Sequence, residues 1–99
     1  MTRLVWSDQA EADLAAIHAY IARDSERYAQ ATVERLIEAV DRLLLWPRSG
    51  RVVPEVGDDD LREVVVPPYR IVYRIDGETI GIATVVHSSR EFQFPEGAV

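Results

Sequence analysis

The chain has 99 residues, no cysteine and a net charge of −6. This composition excludes disulfide bonds and thiolate zinc sites, and it disfavours non-specific binding to nucleic acid, which depends on neutralising phosphates. All eleven basic residues are arginine, so any mechanism that requires a lysine is excluded as well. At this length we expect one domain, residues 1–99, with its own core.

The sequence also predicts where the protein resides. Charged residues appear too early for a signal peptide, and no apolar run approaches the roughly 18 residues that a membrane span requires. With two histidines and no cysteine, we expect no metal and no cofactor. We therefore expect a cytoplasmic protein that does not contact a membrane.

The N-terminal half predicts a short strand and two helices. The segment Arg3–Trp6 alternates in polarity, and Ser7 is a typical N-cap, with acidic residues in the turn that follows. A polar pair at positions 24 and 25 interrupts the apolar pattern, so a second helix begins near Ser25. This helix ends at Trp46, because the residue before Pro47 avoids helical geometry. The tight connection predicts an antiparallel helical hairpin.

The middle segment, residues 48–60, predicts a loop with one short extended piece. It ends in three consecutive aspartates, Asp58, Asp59 and Asp60. The ligand spacing of a calcium loop is missing, so we interpret these carboxylates as a solvated turn without a metal.

The C-terminal half predicts strands joined by tight turns. Pro67-Pro68 separates the strand at 61–66 from the next one, because two residues without N–H donors fit only at a turn or a sheet edge. Asp76-Gly77 lies between two alternating runs and predicts a hairpin with a two-residue type I′ turn.

The register counted from this turn predicts two different faces. On the apolar core face the predicted pairs are Ile75 with Glu78, Tyr73 with Ile80, Ile71 with Ile82 and Tyr69 with Thr84. On the other face they are Arg74 with Thr79, Val72 with Gly81 and Arg70 with Ala83. Since the residues opposite the arginines are small, we expect this second face, with Arg62 on it, to be open to a partner. The alternative is that these arginines are solvated and paired with Glu63, Asp76 or Glu78.

These elements together predict an α+β fold. An N-terminal strand precedes an antiparallel two-helix hairpin, which packs on an antiparallel sheet of three to four strands.

Short motifs along residues 4–92 resemble the RelE/ParE superfamily of bacterial type II toxins. The matching pieces are Trp6 before a helix with Ala12-Asp13-Leu14, Leu44-x-x-Pro47 with Gly50-Arg51, Leu61-Arg62-Glu63, Tyr69-Arg70-Ile71-Val72-Tyr73-Arg74 and His87-x-x-Arg90. Each piece is weak alone, and their order and spacing carry the resemblance. The resemblance implies a toxin that a cognate antitoxin neutralises, with DNA contacted only through the antitoxin. A homodimer and a hetero-oligomer with the antitoxin both remain open.

The superfamily has two branches with different targets. ParE-like members inhibit DNA gyrase and have no established catalytic residues, whereas RelE-like members cleave messenger RNA on the ribosome. Cleavage without a metal needs a base, an acid and cations on one surface. In this chain the candidates for that set are Arg62, Arg70, His87 and Arg90, and the resemblance implies that Arg70 would contact the phosphate.

Two departures from the nuclease pattern favour the ParE branch. The lysines expected on the strand at 61–66 are absent, and the C-terminal tyrosine that stacks on the cleaved base has no clear match, although Phe92 or Phe94 could stack. We therefore expect a gyrase inhibitor that is not an enzyme. The alternatives are a ribosome-dependent endoribonuclease and a degenerate toxin that only binds its antitoxin. The candidate residues for binding the target or the antitoxin are Arg62, Arg70, Val72, Arg74, Arg90 and Phe92.

Overall fold

The computed structural model describes residues 1–89, which form two helices and a five-stranded sheet. In chain order the elements are β1 (Arg3–Trp6), α1 (Asp8–Ala22), α2 (Glu26–Asp41), a 3₁₀ turn (Arg42–Leu44), β2 (Arg51–Val52), β3 (Leu61–Val66), β4 (Tyr69–Asp76) and β5 (Thr79–His87). The strand order is β1-β5-β4-β3-β2; β1 is parallel to β5, and the other neighbours are antiparallel. The predicted α+β fold is confirmed, with one strand more than the upper end of the prediction. Within residues 1–89, no helix is long and apolar enough to cross a membrane.

Serine caps define the start of both helices, as the sequence predicts. The Ser7 hydroxyl accepts a hydrogen bond from the Ala10 amide at 3.0 Å, and the Ser25 hydroxyl accepts one from the Tyr28 amide at 3.1 Å. Each bond satisfies an amide that has no partner within its helix. The second helix ends earlier than predicted, because a 3₁₀ turn at Arg42–Leu44 precedes Pro47.

The main core lies between the helices and one face of the sheet. Tyr73 on β4 is fully buried at the centre of this core, opposite Ile82 on β5. The other buried members are Ala10, Leu36, Ala39, Val40, Leu43, Ile71, Ile80 and Val85. The helical apolar pattern and the alternation in β4 therefore identify the core-facing side correctly.

The opposite face of the sheet is covered where the sequence predicted an open surface. Val53, Leu61 and Val72 are buried together there, with Ala83 packed against them. Val53 belongs to residues 53–60, which we call the acidic loop. This loop lies over Val72, whose side chain is fully buried. A partner could contact Val72 only if the loop moved, and the assignment of Val72 to partner binding stays a prediction.

The β4–β5 hairpin differs from the prediction in both turn and register. Asp76 pairs with Thr79, so the loop residues are Gly77 and Glu78 rather than Asp76 and Gly77. Gly77 has φ of +59°, and within residues 1–89 no other residue type has positive φ. Positive φ at the first loop position alone is typical of a type II′ turn, not of type I′.

A β-bulge shifts the register further along the hairpin. The irregularity lies between Val72 and Tyr73 on β4, and beyond it Arg70 pairs with Val86 instead of the predicted Ala83. Helix α1 supplies the hydrogen bonds that hold the bulged part of β5. The Ser7 hydroxyl donates to the Ala83 carbonyl at 2.8 Å.

Asp13 on α1 completes this attachment. Its carboxylate accepts a hydrogen bond from the Thr84 hydroxyl and another from the Val85 amide, the latter at 2.9 Å. Because β1 pairs with β5 only as far as Ile82, Asp13 provides an acceptor for an amide beyond the end of β1.

A close contact at Gly50 attaches the segment after α2 to the sheet. The Tyr73 hydroxyl donates to the Pro47 carbonyl at 2.7 Å and accepts from the Gly50 amide at 3.1 Å. A Cβ atom at position 50 would lie 2.5 Å from the Glu63 carbonyl oxygen and 2.6 Å from the Tyr73 hydroxyl. Only glycine allows this approach.

Replacing Gly50 with alanine should therefore destabilise the protein strongly. We expect Gly50→Ala to lower the free energy of unfolding by about 2 kcal/mol or more, because the backbone must move away from β3. Gly81→Ala is the matched control: a Cβ there meets nothing within 4 Å, so the change should be close to neutral. Urea unfolding measures both, and equal effects of the two substitutions would contradict the close contact.

Ionisation of the Tyr73 hydroxyl should make the free energy of unfolding depend on pH in the alkaline range. Burial raises the pKa of its hydroxyl above the ordinary value of about 10. Because this pKa is higher in the folded state than in the unfolded state, the hydroxyl stabilises the fold fully below pH 10. This contribution to the free energy of unfolding is lost as pH rises through the folded-state pKa. The free-energy difference between the wild type and Tyr73→Phe should therefore be constant from pH 7 to 9 and shrink above pH 10. Urea unfolding across this range tests the pKa shift, and a constant difference up to pH 11 would disprove it.

Candidate functional site

Arg70 is the centre of a buried ion network on the sheet face opposite the helices. Its Nε donates to Glu63 Oε1 at 2.9 Å, and its Nη2 donates to the same oxygen. In the β3–β4 register Arg70 is opposite Val65, and Glu63 is opposite Val72, so the two side chains are diagonal neighbours on one face. The Glu63 side chain is completely inaccessible and that of Arg70 is 7% exposed. The sheet face around Arg70, which the sequence predicts to be open, is therefore closed in this structure.

A second carboxylate binds the outer edge of the same guanidinium. Glu55, on the acidic loop, accepts from Arg70 Nη1 through Oε2 and from Arg70 Nη2 through Oε1, both at 3.0 Å. Two parallel bonds of this kind are the strong, directional form of an arginine–carboxylate pair. Glu55 and then Glu63 raise the pKa of Arg70.

Arg51 on β2 completes what we call the Glu63 network: Arg51, Glu55, Glu63 and Arg70. Arg51 Nε donates to Glu63 Oε2 at 2.6 Å, so each Glu63 oxygen binds a different arginine. A buried carboxylate is tolerated only when such partners satisfy it. The network joins β2, β3, β4 and the acidic loop.

The three aspartates of the acidic loop are paired with further arginines. Asp58 lies 3.3 Å from Arg74, and a hydrogen bond from the Asp60 amide, followed by Arg74, lowers the pKa of Asp58. The remaining pairs are Arg48 with Asp59 at 2.9 Å, Arg48 with Asp60 at 3.0 Å and Arg62 with Asp59 at 3.0 Å. The turn is solvated, as predicted, but it is also held by these ion pairs.

Arg62 lies on the opposite side of β3 from the predicted position. It is opposite Tyr73, whereas Glu63 is opposite Val72, and alternation along the strand therefore places Arg62 on the helix side. There its Nη1 donates to the Gly50 carbonyl at 2.9 Å and its Nε to the Asp59 carbonyl at 2.9 Å. The structure therefore separates Arg62 from Arg70.

His87 is also separated from Arg70 by the sheet. It is opposite Tyr69 and contacts the Tyr69 ring edge-on, with 5.9 Å between ring centroids. Since Tyr69 and Arg70 are consecutive in β4, their side chains point to opposite faces. Nδ1 of His87 accepts from the Ser89 amide at 3.2 Å and lies 2.7 Å from the Ser89 hydroxyl. His87 therefore lies on the helix side of the sheet, away from the Glu63 network.

The candidate residues from the sequence do not meet on one surface. Arg62 and His87 both lie on the helix side, but Arg62 is opposite Tyr73 and His87 is opposite Tyr69. These two positions of β4 are about 13 Å apart along the strand. Arg70 is on the other face, where Arg74 is also bound to Asp58. Arg90, Phe92 and Phe94 lie outside the described residues.

Sequence reasoning missed the carboxylates that organise this region. The sequence patterns place Glu63 in the Leu61-Arg62-Glu63 motif and make it a surface partner for arginine, although its position between Leu61 and Val65 puts it on the same strand face as two apolar residues. No pattern in the sequence predicts that Glu55 binds Arg70, because only the folding of the acidic loop brings the two together. Asp13 was noted as part of a motif and not as the group that binds β5.

A groove of about 720 Å³ lies at the far end of the sheet, between α1 and the end of β5. Its lining includes Ile17 and Tyr20 from α1, Pro68 from the β3–β4 turn, and Val85 and His87 from β5. The groove is therefore lined mainly by apolar and aromatic side chains, and β5 contributes its last residues there, beyond the point where β1 ends.

A comparison with protein families matches residues 4–92 to the ParE toxin of type II toxin–antitoxin systems. The chain belongs to the ParE toxin family. Toxin RelE2 of Caulobacter vibrioides is 40% identical over 91 residues, which are 91% of this chain and 99% of that protein. The sequence-based resemblance to the RelE/ParE superfamily is thus confirmed, and this ParE-family chain is a type II toxin.

Solved structures agree with the family and the fold. A structure of the chromosomal ParDE system of P. aeruginosa superposes with a TM-score of 0.73 and 26% identity, covering 88% of this chain and 96% of that one. The toxin–antitoxin complex RelBE2 of Mycobacterium tuberculosis matches with a TM-score of 0.55 and 24% identity, covering 87% and 96%. At that identity the second likeness shows the fold of this ParE-family toxin and nothing more.

Removing the Glu63 carboxylate should be one of the most damaging single changes in this ParE-family toxin. Glu63→Gln leaves two arginines without their shared carboxylate, and we expect a loss of about 3–5 kcal/mol in the free energy of unfolding. Asp59→Asn, the same chemical change at an exposed ion pair, should cost less than about 1 kcal/mol. Urea unfolding of both variants tests this; similar small losses would mean that the Glu63 network contributes little.

Proposed function

We propose that this ParE-family toxin acts by binding DNA gyrase and not by cleaving RNA. The observation that carries the proposal is the separation of the nuclease candidates. Arg70 is bound by two carboxylates on one face of the sheet, and His87 lies on the other. A metal-free nuclease needs its acid, base and cation around one phosphodiester.

The charge of the chain supports a protein target. With a net charge of −6 and no lysine, the chain has little to offer a polyanion. Each arginine that the sequence analysis assigned to partner binding and that lies within residues 1–89 is paired with an acid: Arg62 with Asp59, Arg70 with Glu55 and Glu63, Arg74 with Asp58. Binding to RNA phosphates would have to displace those carboxylates first.

Exposed apolar side chains offer a contact of a different kind. Leu45 and Trp46, which follow the 3₁₀ turn, are 75% and 66% exposed, and a shallow depression beside them is lined by Pro47, Ile75 and Gly77. Aromatic residues that become buried on association contribute strongly to protein–protein binding. Arg62 and Arg74, which are partly exposed, and Arg90 and Phe92 stay candidates for binding the target or the antitoxin.

We further propose that a cognate antitoxin neutralises the toxin by laying an extended arm in the groove between α1 and the end of β5. Two features support this site: the apolar lining around Tyr20 and Tyr69, and the stretch of β5 beyond Ile82, where an added strand or a packed segment can bind. The similar solved structures are of a ParDE toxin–antitoxin system and of a RelBE2 toxin–antitoxin complex. In this proposal the antitoxin, and not the toxin, contacts DNA.

The target can be identified by pulse-labelling bacteria within minutes of inducing the toxin without antitoxin. We expect thymidine incorporation to fall before methionine incorporation, because gyrase inhibition stops replication first. His87→Ala should have the same effect, and purified wild type and variant should inhibit gyrase supercoiling within about twofold of each other, a difference of about 0.4 kcal/mol.

Three outcomes would contradict the proposal. An early fall in methionine incorporation would identify the ribosome as the target, and a loss of toxicity in a folded His87→Ala variant would point to catalysis. If expression of the wild type without antitoxin were harmless, the chain would be a degenerate toxin that only binds its antitoxin.

A further inference from the structure

Strand β1 leaves one edge of the sheet without a neighbouring strand. In the strand order β1-β5-β4-β3-β2, β1 pairs with β5 alone, and no other strand of residues 1–89 lies on its outer side. The strand at the opposite edge, β2, has only two residues. With the four residues Arg3–Trp6, β1 is therefore the longer of the two edge strands.

The hydrogen bonds to β5 show which backbone groups of β1 face outward. The amides of Arg3 and Ser7 donate to carbonyl oxygens of β5 and of the turn before it, at 2.9 and 3.0 Å. Alternate residues of a strand direct their N–H and C=O groups to the same side, so the odd-numbered residues of β1 bind β5. The N–H and C=O groups of Leu4 and Trp6 therefore point away from the sheet.

The side chains of β1 do little to protect this edge from a further strand. Natural edge strands are protected by charges, prolines or bulges. β1 contains no proline, its register with β5 is regular, and its one charged residue, Arg3, lies at its first position. Leu4 and Trp6 pack against the main core. Val5 therefore lies on the other face of the sheet, where it is 47% exposed.

We propose that β1 pairs with β1 of a second copy of this chain, antiparallel and about a two-fold axis at Val5. This inference concerns self-association of the toxin and goes beyond the proposed gyrase inhibition, so either can fail without the other. The pairing joins the two five-stranded sheets into one continuous sheet. The same edge serves both copies, as a two-fold contact requires.

The outward groups determine the register of this pairing. Antiparallel strands exchange N–H···O bonds only between residues whose backbone groups face each other. Leu4 of each copy therefore lies opposite Trp6 of the other, and both pairs exchange their bonds. Val5 then lies opposite Val5, at a non-hydrogen-bonded position where side chains come closest. The alternative register, with Leu4 opposite Leu4, pairs Trp6 only with Thr2, which lies outside β1.

The side chains that this register brings together are compatible. Leu4 of one copy and Trp6 of the other meet on the helix side, and the two Val5 side chains meet on the opposite face. Arg3 of each copy lies at the start of the other copy's α1, where Asp8 carries the opposite charge. The register therefore joins apolar side chains in pairs and brings opposite charges near each other.

The short length of β1 limits the strength of the pairing. Interfaces that bury less than about 1,200 Å² are weak and transient. Two four-residue strands form such an interface, so we expect a dissociation constant on the order of 100 μM. The proposal therefore predicts a monomer–dimer equilibrium that depends on concentration.

Sedimentation equilibrium of the full-length wild type, Val5→Arg and Val56→Arg tests the pairing. Val5→Arg places two like charges opposite each other at the two-fold axis and should raise the dissociation constant about tenfold or more. Val56 lies on the acidic loop and is 38% exposed. Val56→Arg makes the same change in net charge away from β1 and should dimerise like the wild type.

Amide hydrogen exchange locates the contact. As the concentration of the wild type rises, the N–H groups of Leu4 and Trp6 should become protected, because each gains a carbonyl acceptor in the second copy. The Val5 N–H points to β5 in both monomer and dimer, so its exchange should change least within β1.

A cysteine at the two-fold axis tests the register. The chain has no cysteine, so Val5→Cys introduces the only thiol. The Cα atoms of a non-hydrogen-bonded antiparallel pair are about 4.5 Å apart, a distance that a disulfide can span. With oxidised glutathione as the oxidant, Val5→Cys should form a covalent dimer about tenfold faster or more than Val56→Cys. Non-reducing electrophoresis measures both rates.

The proposal is overturned if the folded wild type stays monomeric at about 1 mM, ten times the expected dissociation constant. It is also overturned if Val5→Arg dimerises like the wild type, or if Val56→Arg weakens the dimer as much. Protection centred on Trp46 instead of β1 would place the contact elsewhere and refute it equally, as would equal cross-linking rates of the two cysteine variants. Circular dichroism establishes that each variant is folded.

Discussion

The buried pair of Arg70 and Glu63 is the constraint on which this side of the molecule depends. Two opposite charges on neighbouring strands can be kept from water only if their remaining hydrogen-bonding groups are satisfied. Arg51 satisfies the second Glu63 oxygen, and Glu55 satisfies the outer edge of Arg70. The acidic loop must therefore lie over the sheet, where Val53 covers Val72. The need to satisfy these buried charges therefore explains why this face of the sheet is covered.

The same requirement shapes what this ParE-family toxin can do. In the nuclease branch of the superfamily the arginine that Arg70 resembles would contact phosphate, whereas here its donors are directed at two carboxylates of the chain itself. The register sends Arg62 to the helix side, and the alternation in β4 sends Tyr69, with His87 against it, away from Arg70. The gyrase inhibition proposed above requires no such assembly, and exposed Leu45 and Trp46 are suited to a protein surface.

Local rules were sufficient to predict the elements but not the way in which the strands align. Ser7 and Ser25 marked the helix starts because a cap depends on neighbours in sequence, and Gly77 marked the hairpin. The bulge depends on Asp13 and Ser7, more than 70 residues from the strand they bind. The turn at Gly77 and Glu78 shifts the hairpin pairing by two residues and the bulge shifts it by one more, so Arg70 is opposite Val86 instead of Ala83. The placement of Leu61 opposite Arg74 turned Arg62 to the other face. Glu63 and Glu55 acquired their roles only from that long-range pairing, which single-sequence patterns do not contain.

The burial of Arg70 makes it a structural arginine in this toxin. Hydrogen exchange of the arginine Nε–H groups, measured by NMR on the uniformly ¹⁵N-labelled protein near neutral pH, tests it most directly. We expect the Arg70 Nε–H, bonded to Glu63, to exchange at least a hundredfold more slowly than that of Arg42 on the exposed 3₁₀ turn, a protection of about 2.7 kcal/mol. Exchange of Arg70 as fast as that of Arg42 would mean that its guanidinium is available in solution and that Arg70 is not a buried structural arginine.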